Sequence, residues 1–200
     1  MSAIVLSVKS KLVHISTATH RGNAQRRREV REHRARVRRG DARIVITCRF
    51  ESGRTASLRH VVVHAIVERD GAVLLVKRAP ELSEGGKWGL PGGFLDRDER
   101  LVDGVLRELR EETGWTGEVR ALLRVNSRPD RPHEDRQNVA FDFVITPLAR
   151  VGEPDHESSA VEWVPIDRLP PLETMAFDHG ETIRRYLAMR ERPAHTPAVE

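Results

Sequence analysis

Three carboxylates, Glu108, Glu111 and Glu112, fall within five residues at the end of a segment whose apolar spacing is helical. When successive residues are turned by about 100°, Val102, Val105, Leu106 and Leu109 gather on one stripe, and the glutamates share another face. Asp96 or Asp98 is placed to cap the start of this helix, and Gly114 stands where a left-handed residue commonly ends one. Acid at a helix C-terminus opposes the macrodipole, and Glu108 and Glu112 form a like-charge i,i+4 pair. Each placement costs a few tenths of a kcal/mol to about 1 kcal/mol. A solvated acidic face is the ordinary explanation of such a cluster. A divalent cation would reverse the sign of the same electrostatics.

The solvated-face reading leaves the upstream sequence unexplained. Trp88-Gly89-Leu90-Pro91-Gly92-Gly93 reads as a short strand entering a glycine turn, and glycine lets backbone approach a neighbour closely. From Gly93 the order is five residues, Glu99, seven residues, then Arg107-Glu108-Leu109-x-Glu111-Glu112-x-Gly114-Trp115. This pattern resembles the Nudix hydrolase signature, with all nine constrained places filled across 23 residues. The resemblance implies an α/β (mixed α+β) fold, an α/β/α sandwich around a mixed β-sheet with the signature as a loop-helix-loop unit. Periodicity alone supports only an α/β or α+β domain.

The family hydrolyses a nucleoside diphosphate linked to another moiety. By the resemblance, Glu108, Glu111 and Glu112 bind metal, the carbonyl of Gly92 adds a ligand, and Glu108 doubles as the catalytic base. An all-oxygen set suits a hard cation, so Mg²⁺ is the expected cofactor and Mn²⁺ the alternative. Such an ion neutralises charge on the pyrophosphate and lowers the pKa of an attacking water. Arg107 is expected to orient one glutamate through a bidentate pair, an ordinary surface ion pair being the alternative.

Residues outside the helix carry less specific signals. Glu157, ahead of the strand around Trp163, matches a place where some family members put another catalytic or metal-binding glutamate; Glu134 and Asp135 compete for that role. Arg78, beside Lys77 at a strand end, and Arg136 in a polar loop are candidates for phosphate contact. Phe177 and Asp178 fall where related enzymes contact a base, although Asp178 is equally suited to cap the last helix. His60 and His64 read as structural. ADP-ribose hydrolases tend to carry a proline about sixteen residues past the signature, whereas this chain has Pro129 and Pro132 on either side of that place and none at it. The resemblance of segments such as KWGLPGGFLDRDE and AFDHGE to ADP-ribose-type members makes ADP-ribose or a similar nucleotide sugar the leading substrate. An oxidised nucleoside triphosphate is the runner-up.

Charge divides the chain. Residues 1–40 hold eleven cations against two acids, +9, which leaves −5 for residues 41–200 of a chain whose net charge is +4. The first 40 residues therefore read as a basic arm with too few apolar side chains to bury a core, residues 41–190 as the Nudix domain and 191–200 as a tail. A solvated arm is the plainer reading. Nucleic-acid contact through it is the alternative, and it keeps open a third function, a ligand-binding regulator.

Strands are expected over 42–50, over HVVVHAIVE and AVLLVKR joined by Asp70-Gly71, over three later runs, and a helix over 179–190. The single cysteine, Cys48, excludes an internal disulfide and a four-cysteine zinc ribbon, and reads as a strand residue. The opening residues make a poor secretory signal, and no run reaches the roughly 18 apolar residues that span a bilayer, so a cytoplasmic protein with no membrane contact is expected. Homodimerisation, aided by the 42–50 strand, is the expectation carried by ADP-ribose-cleaving relatives.

Overall fold

The computed structural model describes residues 46–131, 138–191 and 197–199. The basic arm, residues 41–45, and the loop residues Pro132, Glu134, Asp135 and Arg136 lie outside them. In chain order the elements are β1 Ile46–Arg49, β2 Thr55–Leu58, β3 Val61–Arg69, β4 Ala72–Arg78, β5 Trp88–Gly89, β6 Gly92–Phe94 and α1 Leu101–Thr113. Then come β7 Trp115–Asn126, β8 Val139–Arg150, β9 Ser158–Pro165, 3-10 turns at Ile166–Arg168 and Leu172–Thr174, α2 His179–Arg190 and β10 Ala198–Val199.

β3 organises the sheet. It is buried on both faces, which is why it reads as an almost unbroken apolar run. Asp70 and Gly71, both at positive φ (53° and 74°), turn it into β4, as the Asp-Gly signal predicts. The hairpin ladder lasts only two residue pairs before the strands diverge. β3 then takes β6 antiparallel on one side and β8 parallel on the other, while β4 takes β5 and β9. The resulting mixed sheet runs β10-β7-β8-β3-β4-β5. β1 and β2 form a separate two-stranded sheet, with Cys48 half-buried in β1.

Side chains of β3 alternate between two cores. Val63, Ala65 and Val67 pack with Val105 and Leu109 of α1 and with Phe143 and Ile145 of β8. Ile66 packs the other way, with Leu75, Leu90, Leu123, and with Ile183 and Tyr186 of α2. One helix thus covers each face, giving the α/β/α sandwich. Truncating a fully buried member such as Leu109 to alanine removes about 2–5 kcal/mol.

The helix stripe differs from the expected one at its start. Val102 is exposed, and Leu101 packs on the core in its place. Neither Asp96 nor Asp98 caps α1. The cap position is Arg100, without a side-chain bond; the Asp96 N–H donates to Glu99, and Asp98 pairs with Arg97. Gly114 does end the helix in a left-handed conformation (φ 74°), its N–H donating to the Arg110 carbonyl. Of the expected tail, Ala198 and Val199 pair in parallel with Arg124 and Val125 on the β7 edge. Among the described residues, no helix is long and apolar enough to cross a membrane.

A buried polar row crosses the sheet beneath α2. The register sets His64 of β3, Asp142 of β8 and Arg124 of β7 side by side. Asp142 accepts from His64 Nδ1 at 2.8 Å, from Arg124 Nε at 2.8 Å and from the Thr182 hydroxyl at 2.9 Å. Burial pushes the Asp142 carboxyl up, but His64 and Arg124 together outweigh it and hold the group at about 2. A carboxyl lowered on folding contributes stability above its unfolded value near 3.8 and loses it as pH falls through the folded one. The contribution is about 2 kcal/mol. The urea midpoint is expected to fall as pH drops from 4 to 2. Asp142→Asn should be less stable at neutral pH and show a shallower acid limb, and an unchanged limb in that variant would count against this assignment.

Candidate active site

Arg107 is the hub of the signature helix. Its Nε and Nη2 grip both oxygens of Glu99 at 2.8 and 2.9 Å. The same guanidinium reaches the Phe94 carbonyl at 3.0 Å, Glu108 at 2.8 Å and Glu111 at 3.1 Å. The bidentate partner is thus Glu99, not one of the three clustered glutamates. A fork-to-fork bond of this kind fixes a plane as well as a charge. It lowers the Glu99 carboxyl, chiefly through the hydrogen bond, and raises the arginine.

The clustered glutamates are in tension. Glu112 is buried, and its Oε2 accepts from the Gly92 N–H at 2.9 Å. Burial pushes its carboxyl up to about 8, and the nearby charges of Glu108 and Asp155 add to the rise. Glu108 is also raised, first by burial and then by Glu111 and Glu157, against the pull of Arg107. Each carboxylate therefore lacks part of the positive charge it needs.

The glycines hold this arrangement close to the sheet. A Cβ on Gly92 would sit 2.2 Å from the Val63 carbonyl oxygen, and one on Gly93 would lie 2.6 to 2.7 Å from the Glu108 carboxylate. The glycine turn therefore presses backbone onto β3 on one side and onto Glu108 on the other.

Loop carboxylates approach from β9. The Asp155 N–H caps the Glu111 carbonyl at 2.8 Å, and the Glu157 N–H donates to the Asp155 side chain at 2.9 Å. The Ala79 N–H in turn holds the Glu157 carbonyl at 2.9 Å. Glu157 is thereby brought near enough for its charge to act on Glu108. Arg78 completes this side. Its Nε donates to the Ser83 carbonyl at 2.7 Å and its guanidinium lies over the Phe177 ring at 5.1 Å. Its two terminal nitrogens find no protein acceptor among the described residues.

Asp178 is placed differently from either expectation. It stands at the cap position of α2 but makes no capping bond, and it is buried. Its oxygens accept from Arg131 at 2.7 and 3.2 Å, Asn126 at 2.7 Å and Arg124 at 3.0 Å. Burial alone would raise this carboxyl; Arg131 and the other charges around it hold it well below the usual range. Both oxygens of this carboxylate are thus engaged by the fold. His64, read as structural, bonds to Asp142 as that reading requires.

Residues 58–186 match the NUDIX domain family. The chain belongs to the Nudix family. It is 33% identical over 127 residues to an ADP-ribose pyrophosphatase of Methanocaldococcus jannaschii, a match spanning 64% of this chain and 72% of that one. It is 30% identical over 105 residues to a putative 8-oxo-dGTP diphosphatase of Bacillus subtilis, covering 52% and 65%. The crystal structure of a Nudix hydrolase from Nitrosomonas europaea superposes with a TM-score of 0.62 at 29% identity, over 78% of this chain and 93% of that one. This Nudix protein is therefore an enzyme, a hydrolase of pyrophosphate linkages in nucleoside diphosphate derivatives.

Among the described residues, no three Asp, Glu, His or Cys side chains converge on a point that would hold a metal ion. The reason is local: Arg107 draws Glu108 and Glu111 to itself, and Glu112 is turned onto the Gly92 N–H. The donor chemistry still fits a hard divalent cation, because the set is all oxygen and two of its members, Glu108 and Glu112, are raised, first by burial and then by neighbouring carboxylates. Two participants escaped the sequence reading. Glu99 was visible as a signature place without a role, and Asp155 sits two residues from Glu157 with no pattern to mark it. Gly93→Ala is expected to fold, since the three atoms nearest the new methyl all belong to the end of the Glu108 side chain and not to backbone. It should lower turnover about 10- to 100-fold by displacing that carboxylate. A variant with wild-type kcat would show that the contact does not set the position of Glu108.

Proposed function

We propose that this Nudix hydrolase cleaves the pyrophosphate of ADP-ribose or a similar nucleoside diphosphate sugar with Mg²⁺, or Mn²⁺ in its place. The observation that carries the reading is the pairing of an electron-rich carboxylate face on α1 with a guanidinium at Arg78 that Ser83 and Phe177 brace. One side suits a cation and the other a phosphate, which is what a metal-bound pyrophosphate needs. The sugar nucleotide is favoured by the likeness to the archaeal ADP-ribose pyrophosphatase.

In this reading Glu108, Glu111, Glu112 and the Gly92 carbonyl hold the cation. When bound, the ion neutralises phosphate charge and makes a water more acidic. Glu108 accepts the proton of the attacking water, whose oxygen forms a new bond to phosphorus as the bridging P–O bond breaks. ADP-ribose would yield AMP and ribose 5-phosphate. Arg107 is a positioning residue that keeps Glu108 and Glu111 on their face, Glu157 supplies a further carboxylate beside Glu108, and Arg78 contacts a phosphate oxygen.

Two measurements test these assignments. A product assay with ADP-ribose, NADH, dinucleoside polyphosphates and oxidised dGTP should show ADP-ribose turned over fastest. Rapid turnover of oxidised dGTP with none of ADP-ribose would reject it in favour of the sanitising activity named for the Bacillus relative. Glu112→Gln keeps the hydrogen bond from Gly92 but removes a charge, and should cut turnover by orders of magnitude. A carboxyl raised from 4.5 to about 8 stabilises the metal-free fold at low pH and loses that contribution as pH rises through 8. In EDTA at pH 9, the glutamine variant should therefore be at least about 1 kcal/mol more stable than wild type. Added Mg²⁺ should raise the melting temperature of wild type only; an equal rise in both would remove Glu112 from the metal site.

A further inference from the structure

Phe177 has a left-handed backbone, φ 51°, which a side chain with a Cβ adopts only when its surroundings impose it. Its neighbours on both sides are pinned. The Ala176 N–H donates to the Trp88 carbonyl at 2.8 Å, Asp178 is locked by Arg131, Asn126 and Arg124, and His179 Nδ1 accepts from the Leu90 N–H at 2.9 Å. Glycine would satisfy such a turn without strain. Phenylalanine instead puts a ring beneath the Arg78 guanidinium, 5.1 Å from centroid to Cζ, while Ser83 holds the Nε edge. One face of the guanidinium and its Nε–H are thus engaged, and the terminal fork is left to bind.

We propose that Phe177 is a positioning residue for substrate binding: its ring, held in a strained turn by Asp178 and His179, fixes the Arg78 guanidinium as a preorganised fork for a phosphate of the substrate. The inference rests on the reading of Arg78 as a phosphate contact. A long arginine side chain free in solution loses rotamer freedom when it binds an anion; one already stacked and tethered has lost it on folding. Asp178 then acts at a distance, by keeping the turn that carries the ring.

Kinetics on ADP-ribose and NMR of the Arg78 Nε–H test this together. In wild type that proton should be shifted upfield by the ring, its resonance assigned by its disappearance in Arg78→Lys. Phe177→Leu keeps bulk without a π face and should abolish the shift. It should also raise KM about tenfold with a smaller change in kcat, as expected for a lost cation–π contact. Phe177→Tyr should restore both. Because the ring acts through Arg78, the Phe177→Leu/Arg78→Lys double variant should be no worse than Arg78→Lys alone. Losses that multiply would mean that the ring touches substrate itself and would overturn the proposal, as would a wild-type KM in Phe177→Leu. A raised KM in Arg78→Lys without any ring shift in wild type rejects the positioning role alone. An unchanged KM in Arg78→Lys with the shift intact rejects the phosphate contact, and the role of Phe177 falls with it.

Discussion

Charge compensation under α2 is the condition that the rest of the domain depends on. Arg124 is almost wholly buried, and a guanidinium in that position is tolerable only with carboxylates on it. Asp142 and Asp178 supply them, one from the neighbouring strand and one from the start of α2. Because the same aspartates also take His64, Thr182, Asn126 and Arg131, a single cluster ties β3, β7, β8, α2 and the loop after β7. Removing one partner leaves a buried charge uncompensated, typically a loss of 3–5 kcal/mol.

The second cluster works on the opposite principle. Around Arg107 four acidic or carbonyl groups surround one cation, so the α1 face keeps an excess of negative charge that the protein does not neutralise itself. The first cluster is closed and belongs to the fold; the second is left open and belongs to the chemistry. β3 separates them, with its α2 face bearing His64 and its backbone flank receiving Gly92 and Gly93. The domain thus places a saturated ionic site and an unsaturated one on either side of one buried strand.

Local features of this fold were legible in the sequence and non-local ones were not. The Asp70-Gly71 turn, the left-handed Gly114, the helix over 179–190 and the signature spacing are each fixed by residues close together in the chain. The membership of Arg124 and Asp142 in one row depends on strand register between segments 18 residues apart, and His64 joins from 78 away. A signal was present: a lone Asp in NVAFDFVITPL and a lone Arg in ALLRVN are opposite charges in apolar strands, which seldom stay unpaired when buried. Asp178 looked like a cap because Asp before a helix usually is one. It was claimed by three buried groups instead, which no local pattern reports. Val102 and Leu101 exchanged places because an apolar stripe has a width, and only packing decides which edge residue lies inside.

The pairing of Ala198 and Val199 with β7 bears on how the molecule behaves in company. These two residues cover the strand edge at Arg124 and Val125, beside the closed ionic cluster. An uncovered strand edge offers its amides and carbonyls to any extended segment of another chain. Loss or displacement of this short strand would therefore show first as added self-association at high concentration, with hydrolysis intact.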